Sequence, residues 1–300
     1  MAPPPAEAAA ASPPLEPAAR PRRQRPGVRL DPALRKRIAA GAFMGLFATG
    51  DVLLGGWFFA LLLLGAVTLM AREWAGLAAP LAPVARDLVL GAALIPAAAI
   101  ILVMAGEQSS AVLLLGVGSV AAAGFAALLP GAPSHWAAGG VLYVGLPALS
   151  LLWLRNDGPH GIELVLWLFF VVWSTDTFAY FAGRAIGGPR LAPRLSPSKT
   201  WAGLIGGVAG AVAVGAVFAA AHERGVVVAA GAIAGLLAVV AQAGDLFESW
   251  LKRRAGLKDS GQLIPGHGGV FDRLDGLLFA APVFAAIVLA SDARGAGAGP

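Results

Sequence analysis

Residues 50–57 read GDVLLGGW and interrupt an apolar run that extends from Ile38 to about Leu77. A helix of about 20 apolar residues crosses a bilayer core about 30 Å thick, so this run is too long for one span. Adjacent glycines stop a helix readily, because no side chain confines them to helical angles. The stretch predicts a turn between two spans, 38–54 and 57–77. That reading sets the sidedness of everything downstream, since one span in place of two would move every later loop to the opposite face.

Working outward, apolar segments at 88–105, 111–129, 136–154, 162–182, 201–221, 225–247 and 274–290 bring the expected total to nine spans. With the N-terminus inside and sides alternating, 19 of the 22 Lys and Arg residues fall on the inner side, as the positive-inside rule requires. Merging the first two spans would place the later basic loops outside. The expectation is an all-α integral membrane protein with about nine transmembrane helices, a cytoplasmic N-terminus, an external C-terminus and a cytoplasm-facing active site.

Composition agrees. The chain is 58% apolar and 13% charged, against about 25% charged for soluble domains. The net charge of +5 is accounted for by inner loops and gives no reason to expect nucleic-acid binding. Without cysteine there is no disulfide and no thiolate metal site. Residues 1–34 are rich in Pro, Ala and Arg and lack the apolar surface to offset ordering. They predict a disordered cytoplasmic tail, with no apolar core before Ile38 of the kind a signal peptide needs. A polytopic membrane domain is expected over 35–291 and a short flexible tail over 292–300.

Four polar groupings interrupt this apolar chain, and the topology puts all four on the inner face. In GDLFESWLKRR, residues 244–254, Asp245, Glu248 and Ser249 share one helix face, with Lys252 and Arg253 a turn later. In KDSGQLIPGHGGVFDRLD, residues 258–275, Gly and Pro break the helix, and the glycines can offer backbone N–H groups to an anion. Asp272 and Asp275 then open the last span; capping accounts for one of them. Asp176 lies inside the sixth span and reads either as a site carboxylate or as one hydrogen-bonded to a neighbouring helix. In PRLSPSKTW, residues 193–201, an irregular loop leads to Lys199 and Thr200, which either meet phosphate at a helix N-terminus or serve as a basic loop and N-cap.

Carboxylates without Cys or clustered His suit a hard cation such as Mg²⁺, and Lys and Arg beside them suit several phosphates. A nucleotide triphosphate with its metal meets both demands, at a surface where a lipid could meet it. Chemistry of this kind depends on positioning and charge neutralisation. Taken on the residues alone, a transporter of an anionic solute and a CTP-dependent polyprenol kinase remain alternatives.

Residues 249–275, SWLKRRAGLKDSGQLIPGHGGVFDRLD, resemble the phosphatidate cytidylyltransferases, also called CDP-diacylglycerol synthases. They match that family's pattern S-x-x-K-R-x4-K-D-x-G-x2-I-P-G-H-G-G-x-x-D-R-x-D at each fixed position. DTFAYFAGR and SPSKTW upstream also look like the family's earlier segments. The resemblance implies transfer of CMP from CTP to phosphatidic acid, with Mg²⁺, K⁺ as a second ion, a homodimer and a multi-pass location in a bacterial inner membrane. It implies metal ligation by Asp245, Asp272 and Asp275, and a catalytic role for Lys258 with them. It further implies substrate contacts at Ser249, Lys252, Arg253, His267, Gly268, Gly269, Arg273, Lys199, Thr200 and Asp176. One position departs: Ala202 stands where the family commonly has Glu.

Overall fold

The computed structural model of the chain describes residues 32–78, 83–130, 132, 134–222, 226–261 and 268–297. The break expected in GDVLLGGW is present. Helix α1 (Pro32–Leu54) gives way to α2 (Gly56–Ala78) at Gly55, whose φ of 61° favours glycine. Arg155, the last residue of α6 (Ser134–Arg155), donates from Nε to the Val52 carbonyl at 2.6 Å. It thereby satisfies a carbonyl at the end of α1. Residues 1–31, and with them most of the expected tail, lie outside the described residues; α1 itself already begins at Pro32.

The third span is two helices, α3 (Pro83–Ala92) and α4 (Leu94–Met104). Pro96 explains the division, because it lacks an N–H and its ring crowds the carbonyl of Ala92. Then follow α5 (Gln108–Ala127), α6, a 3-10 turn over Gly158–His160, α7 (Gly161–Ala185), α8 (Trp201–Ala221), α9 (Val227–Arg254) and α10 (Phe271–Gly297). Among the described residues, eight helical segments are long and apolar enough to cross a membrane, and Ala40–Leu54 is a shorter apolar ninth. The protein is an all-α multi-span membrane protein. Large apolar side chains such as Leu46, Val120 and Val228 remain exposed on its outer surface, where lipid would cover them.

One local expectation holds and two change. Helix α9 continues past residue 247 to Arg254, so the whole GDLFESWLKRR segment is helical. Helix α10 continues to Gly297, so residues 292–297 are helical instead of a flexible tail. The loop between α7 and α8 is a small antiparallel hairpin, β1 (Arg190–Ala192) and β2 (Ser196–Thr200), with Arg190 opposite Thr200 and Ala192 opposite Ser196 across a bulge. Pro193 lies in its turn, and Pro197 is tolerated because both strands of a two-stranded ribbon are edges.

Two kinds of packing hold the bundle. Helices α7, α8 and α9 meet through small residues: a Cβ on Gly207 would stand 2.8 Å from the Thr175 carbonyl, and one on Gly203 3.0 Å from that of Ala179. Such residues let helix backbones approach closely in lipid. Helices α2, α6, α9 and α10 meet through aromatic rings. Trp74 lies 4.9 Å from Trp136 and donates to its carbonyl, and Tyr143 stacks on Phe271 at 5.5 Å. The ends of α2, α7 and α9 and the starts of α8 and α10 converge at one end of the bundle. The turn closed by Arg155 lies at the other.

Candidate active site

The site forms where α9 passes α10. Gly244 permits the crossing, since a Cβ there would stand 2.6 Å from the Asp275 carbonyl oxygen. The residues that follow, Asp245, Glu248, Ser249 and Lys252, face inward on consecutive turns, as their spacing predicts. They divide between two lysine–carboxylate groups.

The first group borders an open cleft of about 750 Å³. Lys199, on β2, makes an ion pair with Asp245 and donates to Gln242 Oε1 at 2.8 Å. Gln242 Nε2 lies 3.5 Å from Asp176 Oδ1, and Ser249 Oγ lies 3.5 Å from Asp245 Oδ1. Asp176 therefore meets the neighbouring helix and the cleft at once, so its two readings are not exclusive. Thr200 has a structural duty: its Oγ1 accepts from Gly203 N at 3.0 Å and caps α8.

The second group is more enclosed. Lys252 Nζ lies 2.6 Å from Asp272 Oδ1 and 3.2 Å from Glu248 Oε1. Asp272 Oδ2 accepts from Ser260 N at 3.0 Å, Ser260 Oγ at 3.1 Å and Gly269 N at 2.8 Å. Gly268, at φ 79°, makes the turn that brings this loop back, and a Cβ there would collide with the Asp272 carboxylate.

Behind the loop lies a residue that the spacing does not reveal. Glu73 of α2 accepts from Val270 N at 2.7 Å, Phe271 N at 2.9 Å and Ser260 Oγ at 2.9 Å. It satisfies the first amides of α10 from a helix almost 200 positions away in the chain. The amides at 269–271, expected to be offered to an anion, are thus held by Asp272 and Glu73. An acid inside the apolar second span is a signal for Glu73 of the same kind that picks out Asp176.

The remaining expected residues spread around these groups. Asp275 accepts from its neighbour Gly276 N at 2.8 Å and lies within electrostatic range of Asp245 and Asp176. Arg273 is exposed and within electrostatic range of Asp176. Arg253 donates to the Leu257 carbonyl at 3.1 Å and closes the end of α9, while Lys258 is exposed. His267 lies outside the described residues. Among the described residues, no three acidic or histidine side chains are grouped closely enough to ligate one metal ion. Asp245 and Asp272 are each paired with a lysine instead.

The sequence profile of the Cytidylyltransferase family matches residues 35–291, which include both groups. A protein named phosphatidate cytidylyltransferase in Pseudomonas aeruginosa is 37% identical over 267 residues, covering 86% of this chain and 98% of its own. The chain belongs to the cytidylyltransferase family. Proteins of the same name in Brucella abortus and Haemophilus influenzae are 57% and 42% identical over 150 and 146 residues. Those matches cover 49% and 47% of this chain, and span only 54% and 50% of the relatives' own lengths. The cytidylyltransferase match over 35–291 includes Glu73 and Gln242 as well as the residues singled out by spacing.

Proposed function

We propose that the protein is a phosphatidate cytidylyltransferase, transferring CMP from CTP to phosphatidic acid with release of pyrophosphate. The observation that carries this reading is an open cleft beside two lysine–carboxylate groups at one end of a membrane bundle. The names of the relatives are consistent with it. In the reaction, a phosphate oxygen of the lipid forms a bond to the α-phosphorus of CTP. The bond from that phosphorus to the β-phosphate bridging oxygen breaks, and its electron pair leaves on pyrophosphate. The second ionisation of a phosphate monoester falls at a pKa of about 6, so the attacking oxygen is largely ionised at neutral pH. No strong general base is required.

Magnesium is the proposed cation. The donors fit it: they are all oxygen, and Asp245 and Asp272 each already hold a cationic group, a lysine ammonium. These two residues, with Asp275, would hold the ion once Lys199 turns toward phosphate and the loop around Lys252 and Asp272 rearranges to bring the carboxylates together. Bound there, Mg²⁺ would neutralise charge on the triphosphate. Lys199 and Lys252 would neutralise the remaining phosphate charge and that of the departing pyrophosphate. Lys258 and His267 from the loop, and Arg253 and Arg273 from the adjoining ends of α9 and α10, are proposed to meet the nucleotide; the loop's shape depends on Gly268 and Gly269. K⁺ as a second ion and a homodimer belong to the same proposal. The basic bias of the loops supports placing the cleft on the cytoplasmic side of a bacterial inner membrane.

The test is CTP labelled in the α- or γ-phosphate, incubated with phosphatidate and purified protein in detergent. Label from the α-position in lipid, with stoichiometric pyrophosphate, is the expected result. Lipid labelled only from the γ-position would mark a kinase, and CTP left intact would remove the proposal.

A further inference from the structure

The cleft is lined by two further cations, and they differ from its lysine. Arg184, in the last turn of α7, and Arg190, on β1 beside the strand that carries Lys199, line the same cleft as Lys199 and Asp245. Both lysines of the site are already paired with carboxylates. The two arginines are not: among the described residues, Arg184 Nη1 donates to Tyr180 Oη at 3.3 Å and Arg190 Nη1 to the Ser198 carbonyl at 3.4 Å. Each guanidinium carries five N–H donors, so most of each fork faces open space. Phe181 and Ile186 flank Arg184 along the chain, and Trp201, whose backbone N–H donates to the Pro189 carbonyl, adjoins Arg190; each of the three is more than half exposed. Unneutralised forks beside exposed apolar side chains suit an anion that carries an apolar tail. Arginine binds phosphate in a bidentate way that an ammonium cannot reproduce.

We infer that Arg184 and Arg190 form the binding site for the phosphate of the lipid substrate, with its chains lying toward Phe181, Ile186 and Trp201. The lipid phosphate then meets the arginines of α7 and β1, and the nucleotide meets Lys199 and the groups of α9 and α10 in the same cleft. The inference rests on the proposed reaction for the identity of the lipid, and it names the subsite that reaction leaves open.

The test reads binding, without turnover. The full chain in detergent micelles is titrated with dioctanoyl phosphatidate and, separately, with CTP. The proteins compared are wild type, Arg184→Ala/Arg190→Ala, Arg184→Lys/Arg190→Lys and Arg194→Ala. Arg194 is exposed in the turn of the same hairpin and does not line the cleft, so it controls for general attraction of charge to the micelle. The double Ala variant should bind the lipid at least about tenfold more weakly and CTP almost unchanged. The double Lys variant should fall between, and Arg194→Ala should match wild type. Unchanged lipid affinity in the double Ala variant, an equal loss for CTP, or an equal loss in Arg194→Ala would overturn the assignment. A protein that binds lipid through these arginines yet makes no cytidine-bearing lipid would overturn the reaction and leave the subsite standing.

Discussion

The two lysine–carboxylate groups of the site are built from the same residue types and held very differently. Asp245 opens on the cleft with its side chain 28% exposed, whereas Asp272 is 8% exposed and receives four donors. Lys199 reaches Asp245 from a short hairpin; Lys252 is fixed on α9 between Glu248 and Asp272. The open pair can exchange its partner for a ligand at little cost to the fold. The enclosed pair cannot be altered without disturbing the loop, the start of α10 and Glu73 behind them. One end of the bundle thus contains an open pair bordering the cleft and, next to it, an enclosed pair held in a framework of loop and helix.

Removing charge from each side separates the two. Asp272→Asn should abolish turnover and also lower stability by about 3 kcal/mol, because Lys252 would lose its closest partner in a partly dry setting. Thermal unfolding in detergent measures the second effect. Asp245→Asn should reduce turnover at least about 10²-fold, the scale for losing one electrostatic contact to a transition state, while the unfolding temperature stays near that of wild type. Equal stability losses in the two variants would erase the distinction between the groups.

Glu73→Gln tests the framework itself. The amide nitrogen of Gln would face the donors of residues 260, 270 and 271, so a loss of about 2 kcal/mol is expected, with activity falling as the loop loosens. Ser260→Ala removes one hydroxyl while leaving its backbone bond to Asp272, and should cost about 1 kcal/mol. If Ser260→Ala destabilised more than Glu73→Gln, the loop and not α2 would be the anchor.

Much of this arrangement is legible in the amino-acid sequence. GDVLLGGW reveals the first turn because the apolar run around it is too long for one span, and the charge bias then orders every later loop. The face shared by Asp245, Glu248, Ser249 and Lys252 follows from helical periodicity alone. Glu73 is not legible in this way, because its partners lie 187 to 198 positions away, and no local pattern tells which helix α2 will meet. The hairpin is hidden by its length, with β1 only three residues long and β2 five, and by prolines that read as loop. The capping role of Thr200 is visible as an alternative, and the hydrogen bond to Gly203 bears it out. The pairing of Asp245 and Asp272 with lysines depends on how α9 meets α10 and the hairpin, which spacing within one segment cannot give.

Carboxylates from α9 and α10 are proposed to hold one divalent ion together with the nucleotide. Mn²⁺ binding in the presence of CTP, read by electron paramagnetic resonance on wild type, Asp245→Asn and Asp272→Asn, tests it most directly. Tight binding by wild type and loss in both variants is the predicted result. Wild-type Mn²⁺ affinity in either variant would contradict it.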